Sequence, residues 1–193
     1  MEADLPISIE SLLQRLEPLS PIPTDTVART PQLPGIRAVL FDIYGTLLVS
    51  SSGDVDVCTF VAEGVAECFE LACCCVLAGD RLEFGRTVID EYKRAIRSCH
   101  TVARAEGRPW PEVDIRQVWR DVVEILDARG AIERSPETDI DHLAIAFENR
   151  MNPVYPMPGM VDVLSRLDEA GILLGLISNA QFFTPMLLNH FLS

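Results

Sequence analysis

Basic residues are scarce in this chain. Lys93 is the only lysine, and 16 lysines and arginines face 29 acids, leaving a formal charge of -13. A surface that acidic repels a phosphate backbone, which argues against a nucleic-acid partner. Long apolar runs are missing too: no stretch approaches the roughly 20 residues that a membrane helix needs. The opening MEADLPISIE places acids where a secretory leader carries a basic flank, so the chain reads as cytoplasmic. Histidine is sparse, and His100, His142 and His190 form no H-x-x-x-H pair. The six cysteines, three of them consecutive at 73–75, show no C-x-x-C spacing, so zinc is not expected. They read as reduced thiols packed as small apolar residues.

What remains is an ordinary globular composition, and 193 residues suffice for one domain with a core or for a smaller domain carrying an insertion. Residues 1–34 read as an extension. Ile9, Leu12, Leu13 and Leu16 recur at helical spacing, and Pro18, Pro21, Pro23, Pro31 and Pro34 make a linker-like tract behind them. The short helix is expected to dock on its own chain.

From 54 to 152 the pattern is helical throughout. Val57, Phe60, Val61, Val65, Cys68 and Leu71 form one stripe, ended near Gly79. Asp80 with Glu83, and Asp114 with Gln117, resemble capping boxes. They open two further helices, the second with the clearest stripe in the chain: Ile115, Val118, Trp119, Val122 and Leu126. Ser135-Pro136 marks a fourth start, with Leu143 and Phe147 on its inner side. Four helices with no strand between them predict a bundle. Trp110, between two prolines, reads as a loop anchor or as a surface that closes on substrate.

Two short apolar runs flank this bundle. IRAVLFD (36–42) and ILLGLISN (172–179) suit strands covered on both faces. The helical segment from Met160 to Gly171 separates the bundle from the second run. With the bundle removed, the order is a parallel β-α-β unit, in which ligands bind at the carboxyl ends of the strands. Asp42 ends the first strand and Ser178-Asn179 the second, so both are expected at one pocket. A carboxylate there can attack an electrophile and form an ester. Gly45 permits a sharp turn, Thr46 offers a hydroxyl, and amides in the turn can hold an anion. The blander alternatives are Asp42 as a turn cap and Ser178-Asn179 as a helix start.

VLFDIYGTLL and LLGLISNA, in that order and a bundle's length apart, resemble motifs I and II of the haloacid dehalogenase-like (HAD) hydrolase superfamily. The resemblance covers residues 35–193. It implies an α/β fold: a HAD-like Rossmannoid core at 35–53 and 153–193, incomplete with about two parallel strands, and an inserted all-α cap of the C1 type at 54–152. It also implies Asp42 as nucleophile, with Gly45, Thr46, Ser178 and Asn179 binding a small anionic substrate. If the substrate is a phosphate ester, Asp42 and the Tyr44 carbonyl would hold Mg2+. Family phosphatases usually carry an aspartate, as general acid and base, where this chain has Tyr44. A phenol, with an ordinary pKa of about 10, shuttles protons poorly near neutrality.

Tyrosine at that position occurs in 2-haloacid dehalogenases, which need no metal. Those enzymes, however, place an arginine early in the cap, and residues 47–79 contain neither Arg nor Lys. Their second motif is usually followed by glycine, not Ala180. The lysine of motif III and the acidic pair of motif IV would follow the second strand, and Lys93 cannot be that lysine by order. The resemblance therefore reads as the N-terminal part of a family member, expected to be inactive alone. Such a part would pair with a missing C-terminal half, self-associate, or survive as a remnant or interaction module.

Overall fold

A computed structural model describes residues 8–27, 29–51, 60–109 and 111–193. In chain order the elements are α1 (Ile9–Leu13), β1 (Ala38–Phe41), β2 (Leu48–Ser50), α2 (Val65–Leu71), β3 (Cys74–Val76), α3 (Arg81–Ala105), α4 (Ile115–Ala128), β4 (Ile132–Arg134), α5 (Ile140–Met151), β5 (Val154–Pro156), α6 (Met160–Glu169), β6 (Leu173–Leu176) and α7 (Thr184–Leu192). The fold is α/β with a separate helical part. It divides into two compact units, one within residues 1–15 and 59–151, the other within 16–58 and 152–193.

The helical unit is built by its apolar stripes. Every member of the Ile115-to-Leu126 stripe is buried, and Trp119 meets Phe147 edge-on at 4.7 Å and Tyr92 at 5.0 Å. Asp80 and Asp114 cap α3 and α4 as expected, Asp80 accepting the Leu82 and Glu83 amides and Asp114 that of Arg116, but Glu83 pairs with Arg86 and Gln117 donates to Asp121 instead of closing the boxes. The buried Glu91 carboxylate on α3 is held by Arg94 and by Arg129, the C-cap of α4, both at 2.7 Å. α1 docks here, burying Leu12 and Leu13, while Asn149 on α5 donates to the Leu12 carbonyl at 3.4 Å.

Three expectations for this unit need correction. It is not strand-free, because β3 and β4 form a small antiparallel pair. The first stripe yields only the seven residues of α2, which starts after Gly64 at φ 74° and stops at Ala72, before Cys73 turns to φ 57°. The fourth helix starts at Ile140, not at Pro136. The Ser135 and Thr138 hydroxyls both donate to the Cys73 carbonyl, fixing a turn, and Asp139 then receives the Asp141 and His142 amides. Val57, Cys58 and Trp110 lie outside the described residues.

Burial pushes the Cys68 thiol up to about 12 and the Cys74 thiol up to about 11, so both stay protonated near neutrality. The tightest backbone approach is at Gly85 in α3, where a Cβ would stand 2.1 Å from the Ala62 carbonyl oxygen. Gly85→Ala should therefore destabilise the protein by about 1–3 kcal/mol, read as a lower urea midpoint. An unchanged midpoint would show that the 62–64 segment yields freely.

In the other unit, β1 and β6 pair in parallel, with Ala38 opposite Leu173 and Phe41 opposite Leu176. β2 and β5, which the apolar pattern does not reveal, pair antiparallel. Most of its buried residues, among them Leu48, Val49, Val154, Leu187 and Leu188, lie on β2, β5 and α7, joined by Ile43 and Leu47 in the loop after β1, Met160 at the start of α6 and Phe183 before α7. The parallel strands are not covered on both faces as expected: Leu40 is 67% exposed, Leu173 73%, Leu176 54% and Ile177 66%. Of the expected α6 face only Met160 is buried. Leu40 lies across Gly175, where a Cβ would meet its Cδ2 at 2.6 Å.

Bare leucines on a two-stranded parallel sheet predict association through it. Amides of residues 36–42 and 172–178 should exchange early while α3 and α4 remain protected, and gel-filtration volume should depend on concentration. A monodisperse monomer with slow exchange in β1 and β6 would refute this.

Candidate active site

The register of β1 and β6 builds the site. The Ile177 amide donates to the Phe41 carbonyl at 2.9 Å, so the two strands end side by side. Their next residues, Asp42 and Tyr44 from one loop and Ile177, Ser178 and Asn179 from the other, line a cavity of about 410 Å³. Among the described residues, the Asp42, Ser178 and Asn179 side chains have no hydrogen-bond or ion-pair partner. Asp42 and Asn179 are exposed and Ser178 is half-buried. Three polar residues thus line one space, open to solvent or a ligand and not bonded to other described residues.

The turn after Asp42 is held without it. The Ile43 carbonyl accepts the amides of Thr46, Leu47 and Leu48, and the Gly45 amide donates to the Leu48 carbonyl. Asp42 is thus not a turn cap. Those four amides are also spent, so the anion-holding role expected of the turn does not fall to them. Gly45, at φ 81° with open space beside it, serves the turn. Gly45 and Thr46 are exposed and do not line this cavity. Ser178 and Asn179 do not cap a helix either, since α7 begins at Thr184 behind Phe183 with no side-chain cap.

The Tyr44 hydroxyl lies 2.8 Å from Thr184 Oγ1, and Thr184 is 1% exposed. Sequence reasoning missed Thr184, because Thr-Pro there signals only a helix start. The groups expected to hold a metal are the Asp42 carboxylate and the Tyr44 main-chain carbonyl, both from residues that line this cavity. No group of three or more His, Cys, Asp or Glu among the described residues is arranged to hold one. One carboxylate and one carbonyl suit Mg2+ as a minor share of its six oxygens, the rest being water and substrate phosphate. No helix among the described residues is long and apolar enough to cross a membrane.

A protein-family model described as haloacid dehalogenase-like hydrolase matches residues 36–191. No curated protein matches the chain.

Proposed function

The chain belongs to the haloacid dehalogenase-like hydrolases, and from that premise we propose that it acts through a covalent ester on Asp42, with a small phosphate ester as substrate. The observation that carries this reading is the convergence of Asp42, Ser178 and Asn179 at the ends of β1 and β6, without internal partners. An Asp42 oxygen attacks phosphorus, and the bond to the leaving oxygen breaks with its electron pair on that oxygen. Water then attacks the aspartyl phosphate, releasing phosphate and restoring the carboxylate. The Ser178 hydroxyl donates to a phosphoryl oxygen, and the Asn179 amide orients the loop or the substrate.

Family members generally use Mg2+. When bound by Asp42 and the Tyr44 carbonyl, it would offset charge between carboxylate and phosphate. The same proposal places the protein in the cytoplasm, with a small anionic substrate and no nucleic-acid partner.

Tyr44 favours a second reading, hydrolysis of a 2-haloacid, in which Asp42 attacks the carbon bearing the halogen and halide leaves without a proton. The bare faces of β1 and β6 favour a third, a non-catalytic interaction module whose sheet docks on another polypeptide or on a second copy. The deciding experiment incubates the full chain with p-nitrophenyl phosphate and Mg2+, and separately with 2-chloropropionate in chelator. Phosphate release alone supports the proposal, and chloride release alone replaces it with the second reading. Release of neither product, together with self-association that is lost when Leu40 and Leu173 are made polar, supports the third.

A further inference from the structure

We propose that Thr184 is the positioning residue for Tyr44, and that their hydroxyl pair clasps together the two loops forming the cavity. The inference rests on the reading of this cavity as the active site. Tyr44 follows Asp42 by two residues in the loop after β1, and Thr184 follows Ser178 by six in the segment after β6. Their hydroxyls meet at 2.8 Å across 140 residues of sequence. The bond therefore runs from the loop carrying the nucleophile to the first turn of α7, which the loop carrying the polar pair leads into, and Tyr44 at its other end lines the cavity.

Several features make Thr184 the fixed end. Its side chain is 1% exposed, and its amide donates to the Gln181 carbonyl. It stands in the first turn of α7, with Phe183, Leu187 and Leu188 buried around it. Its β-branched side chain is confined to two rotamers in a helix, and the bond to Tyr44 selects one of them. A buried hydroxyl also costs stability unless it is bonded. α7 draws no side-chain cap from its N-cap residue, Phe183. The partner that meets the Thr184 hydroxyl is the Tyr44 phenol.

The consequence concerns substrate. A phenol anchored at its hydroxyl end is a wall of the cavity rather than a side chain that swings to a leaving group. Thr184 thus fixes both the shape of the leaving-group side and the approach of Ser178 to Asp42.

The test needs a readout independent of turnover. The chain has three tyrosines, Tyr44, Tyr92 and Tyr155, so ring-labelled tyrosine gives three Cζ signals by carbon NMR, and Tyr44→Phe assigns one. Thr184→Val, which keeps the volume and deletes the hydroxyl, should move the Tyr44 signal and leave the other two. Thr184→Ser should restore it. Binding of inorganic phosphate should weaken about 3- to 10-fold in Thr184→Val and recover in Thr184→Ser. On a Tyr44→Phe background, Thr184→Val should cause no further loss, as for two ends of one bond.

An unmoved Tyr44 signal in Thr184→Val, or an equal displacement in Thr184→Ser, overturns the proposal. If Thr184→Val does not fold, Tyr44→Phe must weaken phosphate binding by the same factor, and unchanged binding there overturns it. If wild-type protein binds no phosphate, the active-site reading fails, while the Tyr44 signal still decides whether the clasp exists.

Discussion

Asp42→Asn is expected to abolish turnover of whichever substrate the protein hydrolyses, with a loss on the order of a million-fold if the carboxylate is the nucleophile. An amide oxygen is a poor nucleophile, and the ester through which hydrolysis is proposed to run would not form. The fold should survive. The Asp42 side chain is exposed and unpartnered among the described residues, and the turn behind it is held by the Ile43 and Leu48 carbonyls. Surface changes away from structural roles usually cost within about 0.5 kcal/mol, so the urea midpoint should match wild type. The measurement is turnover of p-nitrophenyl phosphate and of 2-chloropropionate beside that midpoint. Activity within tenfold of wild type on either substrate would sink covalent catalysis at Asp42.

Asp42 is legible in the sequence because its signals are local. Four consecutive apolar residues before Asp42, and a second run before Ser178, place both at strand ends without knowledge of the tertiary structure, and β1 and β6 do pair in parallel. The caps at Asp80 and Asp114 are legible for the same reason, because an aspartate before an amphipathic stripe satisfies its own helix's amides. The four strands β2, β3, β4 and β5 have three residues each, too few for a period of two to register. Their pairing is decided by what lies opposite, as when Leu48 meets Pro156.

The false start at Pro136 has a tertiary cause as well. The Cys73 carbonyl, more than 60 residues away, takes both hydroxyls that could have opened a helix. Thr184 is invisible for a similar reason. Its partner is 140 residues distant, and nothing near Thr184 in the chain distinguishes a clasp from a first-turn threonine. The exposure of β1 and β6 is the converse case. A continuous apolar run predicts cover on both faces, but among the described residues each strand has only the other as a neighbour in its sheet.

Tyr44 is where the two chemistries part, and in a complete version of the protein, one that also carries motifs III and IV, Tyr44→Asp is expected to raise phosphatase turnover about 100- to 10,000-fold. With a phenol at this position, no side chain suited to protonating a leaving alkoxide near neutrality follows the nucleophile by two residues. A carboxyl group there can give its proton to the leaving oxygen and then take one from the attacking water, so both half-reactions gain. The substitution also removes the Tyr44–Thr184 bond, which works against the gain, so the proper control is Tyr44→Asn. That variant loses the same phenol and supplies no proton, and the ratio of Asp to Asn isolates the shuttle. The ratio should be larger for phenyl phosphate than for p-nitrophenyl phosphate, whose leaving group needs a proton less. In a dehalogenase the new carboxylate would instead repel the substrate's own carboxylate, and halide departure would gain nothing. Loss of activity in Tyr44→Asp relative to Tyr44→Asn, with chloride released from 2-chloropropionate by the wild-type protein in chelator, would assign the chain to carbon–halogen cleavage.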